Sequence, residues 1–201
     1  MSNPCCPTRG EAKRQAVIDA AERIFLDLGY ASASMDGIAA EAQVSKRTVY
    51  NHFASKQELF QAVIARLYAG LQETQRRGLP PDRPPAEVLA EFGRELLDHL
   101  RRPQVQGMFR LIVSERPRFP ELGLALSMGG KGTAFAVLED YFTTQTKRGA
   151  LKVDDPWEAA ALFLGVLKES AYWPALLGLP VAEDDRAVAA AVRAVMMRYG
   201  A

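Results

Sequence analysis

SMDGIAAEAQVSKRTVYNHFASKQELF, residues 34–60, spells a helix, a tight turn, a second short helix and the start of a third. Ser34 is placed to cap the first helix, its hydroxyl accepting from a free backbone N–H of the opening turn. Ile38, Ala39 and Ala42 share an inward face, and the chain breaks over Gln43 and Val44. Ser45 caps again, and Val49 and Phe53, one turn apart, hold the second helix to the core. Lys46, Arg47, Thr48, Tyr50, Asn51 and His52 then point away from that seam, and every one of them can donate a hydrogen bond. A short helix this rich in donors suits the major groove of double-stranded DNA, its first residues meeting base edges while hydroxyl and ring donors take phosphates. Ser55 and Glu58 form a capping box. Lys56 sits at the positive end of that third helix, where a phosphate oxygen is welcome.

VSKRTVYNHFASKQELF, with GYASASMDGIAAEA before it, closely resembles the DNA-binding domain of the TetR family of bacterial regulators, over roughly residues 11 to 65. The resemblance implies a three-helix domain with Lys46, Arg47, Thr48, Tyr50 and Asn51 near bases. It also implies that Ser34, His52 and Lys56 hold phosphates. Two departures stand out. Gln43 occupies the turn position where the family usually has glycine, which adopts positive φ at little cost. Ala33 stands where a threonine is common, which removes one phosphate donor.

The 201 residues leave room for one or two domains, and the near-neutral net charge of +1 selects no partner by itself. Residues 1–60 carry seven basic against seven acidic side chains, so local placement must supply the attraction for phosphate. Arg9, Lys13 and Arg14 cluster at the start of the first long helix, where they either reach a neighbouring phosphate or only solvate the helix end. Cys5 and Cys6, the two cysteines, are adjacent in a polar, proline-flanked tail. They make no disulfide framework, which fits a reducing compartment; residues 1–9 read as a disordered tail, with a paired-thiol metal or redox role, for which no further ligands stand nearby, as the alternative. No signal peptide is visible, and the apolar run AAALFLGVL (159–167) is far shorter than the roughly 20 residues of a membrane span. The expectation is a soluble cytoplasmic protein with no membrane partner.

The pattern predicts an all-α protein of about nine helices. A tail (1–9) precedes a helix-turn-helix DNA-binding domain (10–56), and a helical effector-binding and dimerisation domain (57–201) follows. Residues 10–29 form an amphipathic helix carrying Ala16, Val17, Ala20, Ala21, Ile24, Phe25 and Leu28, closed by Gly29. From Ser55 a single long helix runs to Arg76, Arg77 and Gly78 and acts as a lever between the domains; LPPDRPP after it cannot be helical. Further helices are predicted over 85–101, 103–117, from Pro120, 133–148, 156–177 and 184–199, with Gly129, Gly130 and Gly132 loosening one junction. Residues 156–177 are apolar right round the helix, and 184–199 carries a clean stripe. One side of such a helix needs a cover beyond its own core, so the last two helices, meeting their copies, make a four-helix bundle across a two-fold axis. Ala160, Ala161, Leu164, Gly165 and Ala171, with Val188, Val192, Val195 and Met196, are the candidate homodimer interface.

RRPQVQGMFRLIVSERPRFPELGLAL, continuing to RGALKVDDPWEAAALFLGVL, resembles the AefR-like C-terminal domain of TetR regulators, a subgroup with a lean to efflux and stress genes. Tyr68, Phe92, His99, Met108, Ile112, Phe135, Phe163 and Trp173 are candidates to line a pocket for an apolar or amphipathic small-molecule effector, with Arg110, Glu115 or Glu169 as polar anchors. Plain core is the competing reading for each. His99 reads as a surface or hydrogen-bonded histidine, since no second ligand stands at metal spacing. No metal, no cofactor and no catalytic motif is indicated: there is no glycine-rich phosphate loop, nucleophile elbow or HExxH. A helical interaction module with a decayed DNA face is the remaining alternative, and the retained Lys46, Arg47, Tyr50, His52 and Lys56 argue against it. The reading is therefore a ligand-responsive regulator, a repressor released from a pseudo-palindromic operator by its effector.

Overall fold

The computed structural model describes residues 8–127, 132–181 and 183–201, all helix and connecting turns apart from one isolated antiparallel bridge between Leu151 and Gly200. Cys5, Cys6, Gly129 and Gly130 lie outside the described residues. The chain packs as two compact units: Met1–Leu67 with Gly107–Gly129, and Tyr68–Gln106 with Gly130–Ala201. Residues 57–67, assigned from sequence to the second domain, thus pack with the first unit, as does 107–129.

In the first unit, α1 (Arg9–Ser32) opens on a capping box that the proline-flanked tail conceals in the sequence. The Glu11 N–H donates to Thr8 Oγ1 at 3.2 Å, and the Thr8 N–H donates to Glu11 Oε2 at 2.7 Å. Gly29 does interrupt the helix, at φ 82° and ψ 165°, but one more turn follows it. Val17, Ile18, Ala20, Ala21 and Phe25 are buried as the stripe requires, whereas Leu28, read as part of it, is exposed. Helices α2 (Met35–Glu41), α3 (Lys46–His52) and α4 (Lys56–Leu67) complete the three-helix head on α1. Ile38, Val49, Phe53, Leu59, Phe60, Val63 and Ile64 fill its core. Tyr30 sits at the centre of an aromatic cluster, its ring 5.6 Å from Phe25, 5.3 Å from Phe60 and 5.0 Å from Phe119. The end of α7 (Pro103–Glu115) and α8 (Glu121–Leu126) add Leu111, Ile112, Leu122 and Ala125 to this unit.

The long lever helix is not continuous. Helix α4 stops at Leu67, Tyr68 takes φ −101° and ψ 11°, and α5 (Ala69–Arg77) starts afresh. The apolar stripe passes through the break, which hides it from periodicity. The Tyr68 side chain is buried against the His99 ring, 4.8 Å between centroids, and Gly70 next to it has little helix propensity to bridge the gap. Gly78, at φ 71°, closes α5 as expected.

The second unit packs α5, α6 (Pro85–Leu100), α9 (Gly132–Lys147), α10 (Pro156–Leu167) and α12 (Asp184–Tyr199), with α10 lying against both α9 and α12. Asp155 caps α10 by accepting from the N–H groups of Trp157 and Glu158. The predicted single helix 156–177 is divided. A π-helical turn occupies Lys168–Tyr172, and α11 (Trp173–Leu176) follows. Pro174 explains the widening, because it has no N–H to give and its ring crowds the carbonyl four residues back. The Trp173 N–H donates to Lys168 O instead.

Burial in the single chain divides the candidate interface residues. Ala160, Leu164, Ala171, Val188 and Val195 are buried within the single chain, because the inner sides of α10 and α12 make this unit's own core. Ala161, Val192 and Met196 are half-buried and Gly165 is exposed. The outer surface of these helices shows Trp157 and, 88% exposed, Met197. No helix among the described residues is long and apolar enough to cross a membrane.

Candidate nucleic-acid interface

Helix α3 has seven residues and is held by both ends and one face. At its start the Thr48 N–H donates to Ser45 Oγ at 3.1 Å, and the two hydroxyls lie 2.8 Å apart. Val49 and Phe53 are fully buried beneath it, with the Arg14 guanidinium 5.0 Å over the Phe53 ring. Arg14 thus covers the base of α3. The turn before α3 runs through Gln43 at φ 54°, so glutamine takes the left-handed conformation in which glycine is at ease.

With Val49 and Phe53 inward, Ser45, Lys46, Arg47, Tyr50 and Asn51 are exposed, and Thr48 and His52 are half-buried. Tyr50 is 46% exposed, a large ring held in solvent on a short rigid helix. Lys46 Nζ lies 6.0 Å from the Tyr50 ring centre and 2.8 Å from Asp36 Oδ1 of α2. The hydrogen bond to Asp36 holds the ammonium above the ordinary lysine range, so it stays charged. Ser34 caps α2, accepting from the Gly37 N–H at 3.0 Å, and its hydroxyl remains at the surface. One face therefore offers a guanidinium, an ammonium, a phenol, a carboxamide and hydroxyls, a donor set matched to base edges and phosphate oxygens.

Lys56 has partners within the chain that its spacing does not foretell. Its ammonium donates to the carbonyls of Tyr30 at 2.7 Å, Ala33 at 2.9 Å and Ala31 at 3.4 Å, and lies 4.5 Å over the Tyr30 ring. Its three donors are engaged, and burial lowers its pKa against the opposing pull of Glu115. In the free chain the end of α1 holds this side chain. The Ser55–Glu58 box is formed with one shift: the Glu58 carboxylate accepts from the Ala54 N–H at 2.8 Å, while the Glu58 N–H donates to Ser55 Oγ at 3.1 Å.

The effector-pocket candidates are divided between the two units. Met108 and Ile112 are core of the first unit; Tyr68, Phe92, His99, Phe135, Phe163 and Trp173 belong to the second. Within the second unit Phe92 and Phe163 are fully buried neighbours, Phe135 stacks on Trp157 at 6.2 Å, and Trp173 is partly exposed. His99 is buried, not at the surface, and its Nε2 has no hydrogen-bond partner. It borders a cleft of about 340 Å³ with Leu71, Thr74, Arg77 and Arg102. Of the polar anchors, Arg110 and Glu169 are exposed, and Glu115 accepts from a backbone N–H of the first unit, that of Ala31. Sequence reading missed Asp36 as the partner of Lys46 and Glu115 as the partner of Ala31, since pairs across elements leave no periodic trace.

The family model described as "Bacterial regulatory proteins, tetR family" matches residues 17–63, and the one described as "AefR-like transcriptional repressor, C-terminal domain" matches residues 87–201. The transcriptional activator FasR of Mycolicibacterium smegmatis is 45% identical over 71 residues, 35% of this chain and 32% of that one. The chain thus spans about a third of the length of this curated relative. Among solved structures, a TetR-family regulator from Mesorhizobium loti MAFF303099 superposes with a TM-score of 0.83 at 28% identity, over 97% of this chain and 100% of that one. The flavonoid-responsive regulator FrrA superposes at 0.79 with 30% identity, over 94% and 97%. A head built on a capped, donor-faced α3, joined to a C-terminal match over more than half the chain, makes this protein a member of the TetR family of transcriptional regulators, with an AefR-like C-terminal domain.

Proposed function

We propose that the protein is a ligand-responsive repressor that binds a pseudo-palindromic operator as a homodimer and is released by a small apolar or amphipathic effector. The observation that carries the reading is the outer face of α3, where Lys46, Arg47, Tyr50 and Asn51 stand exposed over the buried Val49–Phe53 seam. Ser34, Ser45, Thr48 and His52 frame that face as candidate phosphate and sugar contacts. The repressor sign rests on the AefR-like match, which covers far more of the chain than the match to the activator FasR. The effector reading is supported by FrrA, described as flavonoid-responsive. The regulator works in the cytoplasm, where its DNA is, and efflux or stress genes are the favoured targets.

The dimer is supported by α10 and α12, whose outer sides keep Trp157, Ala161, Gly165, Val192, Met196 and Met197 wholly or partly in solvent. Reading successive major grooves requires two α3 helices about 34–36 Å apart, one turn of DNA. An effector shifts that arrangement only through different affinities for the two states, typically about 1–3 kcal/mol of coupling. Selection from random duplex DNA tests the reading: the expected winner has two inverted half-sites with centres about 10 bp apart. Enrichment of no sequence, or of a single half-site by a monomer on gel filtration, overturns it.

A further inference from the structure

At the C-terminal end of α1 the chain makes an elbow at Gly29–Ala33, and two side chains from other helices hold it. From α7, the Glu115 carboxylate accepts the Ala31 N–H with both oxygens, at 3.2 and 3.1 Å. From α4, the Lys56 ammonium takes the carbonyls of Tyr30, Ala31 and Ala33. An elbow of this kind leaves backbone groups that the helix ladder does not satisfy. Here one anion takes the donor and one cation takes the acceptors. Gly29 is fitted to the same arrangement, since its φ is 82° and a Cβ there would lie 2.7 Å from Glu115 Oε1. The next residue, Ser34, caps α2, and α2 packs on α3. The elbow therefore sets where α2 and α3 stand relative to α1.

We infer that Glu115 is a positioning residue for DNA recognition: with Lys56 it clamps the Gly29–Ala33 elbow and so fixes the pose of the reading helix, without touching DNA. This rests on the operator-binding reading above. It differs from a role as effector anchor, because the carboxylate is committed to a backbone amide of the DNA-binding head. It differs also from simple electrostatics, because a carboxylate acting only through its charge would weaken binding to every duplex.

The test compares wild-type, Glu115→Ala and Glu115→Gln protein, well below their melting temperatures, on the duplex that wild type selects and on a scrambled duplex of equal length. Glu115→Ala is expected to lose tenfold or more in operator affinity, with scrambled-duplex affinity within about twofold and the salt slope unchanged. Glu115→Gln keeps an oxygen for the Ala31 N–H and recovers most of the loss. Hydrogen exchange at the Ala31 amide speeds up in Glu115→Ala and much less in Glu115→Gln. Equal operator affinity in all three proteins overturns the clamp alone, as does tightening on both duplexes in both variants. A lower melting temperature with an unchanged operator-to-scrambled ratio also overturns it. A salt slope that falls by about one unit in Lys56→Ala would return Lys56 to the phosphate and break the clamp. Wild-type protein that selects no duplex overturns both the operator reading and this inference.

Discussion

The ammonium of Lys46, first residue of α3, lies 2.8 Å from the carboxylate of Asp36 on α2. Both groups are exposed, so the contact restrains the side chain without burying it. In the proposed DNA-reading role of α3, a phosphate or guanine edge would compete with Asp36 for this lysine, and the carboxylate itself would repel the duplex.

Asp36→Asn is therefore expected to tighten DNA binding several-fold at low salt, with the gain shrinking as salt screens it. Titrations at two ionic strengths check this. Weaker binding would mean that Asp36 is needed to aim Lys46.

Gln43 sits at φ 54° in the turn before α3. The left-handed conformation costs a non-glycine residue roughly 1–2 kcal/mol. Glycine would remove that cost and restore about 0.5–1 kcal/mol of chain entropy loss. Gln43→Gly should then raise the melting temperature by about 2 °C and leave operator affinity unchanged. A lower melting temperature would show that the glutamine side chain earns its place by contacts.

Much of the head is legible because its signals are local. Ser34, Ser45 and Ser55 announce their caps, and Val49 with Phe53 marks the inward face one turn apart. The breaks at Tyr68 and Pro174 were harder, since the apolar stripe runs on through both. The carbonyl partners of Lys56 are hidden for a different reason: they lie 23 to 26 residues upstream. Glu115 and Ala31 are 84 residues apart. Such pairings depend on how helices pack, which no spacing within one helix encodes. The apolar stripe of α10 has the same limit. Period alone shows that α10 is apolar all round, yet only packing reveals that Ala160 and Leu164 face inward while Gly165 faces out.

Gly165 gives the dimer a clean test, because a Cβ built there meets nothing within 4 Å. Gly165→Ala should stabilise the protomer by about 0.5–1 kcal/mol through helix propensity. Gly165→Trp should leave a folded protomer and halve the mass seen by light scattering. An intact dimer in Gly165→Trp would place the interface elsewhere.

His99 predicts an acid sensitivity. Burial, with the Arg102 charge adding to it, holds the imidazole down at about 4 from an ordinary 6.5. The unfolded chain takes up its proton near 6.5 and the folded chain only near 4. The penalty is therefore absent above the higher value and grows as the pH falls towards the lower one. His99→Leu should melt with a shallower pH dependence across that window than wild type. Parallel melting curves would contradict the assignment.

The most direct measurement is a mobility-shift titration of Lys46→Ala/Tyr50→Ala on the duplex that wild-type protein selects, with circular dichroism and light scattering as controls. The account predicts at least a hundredfold loss of affinity in a protein that keeps its helices and its oligomeric state. Wild-type affinity in that variant would mean that the outer face of α3 does not read DNA.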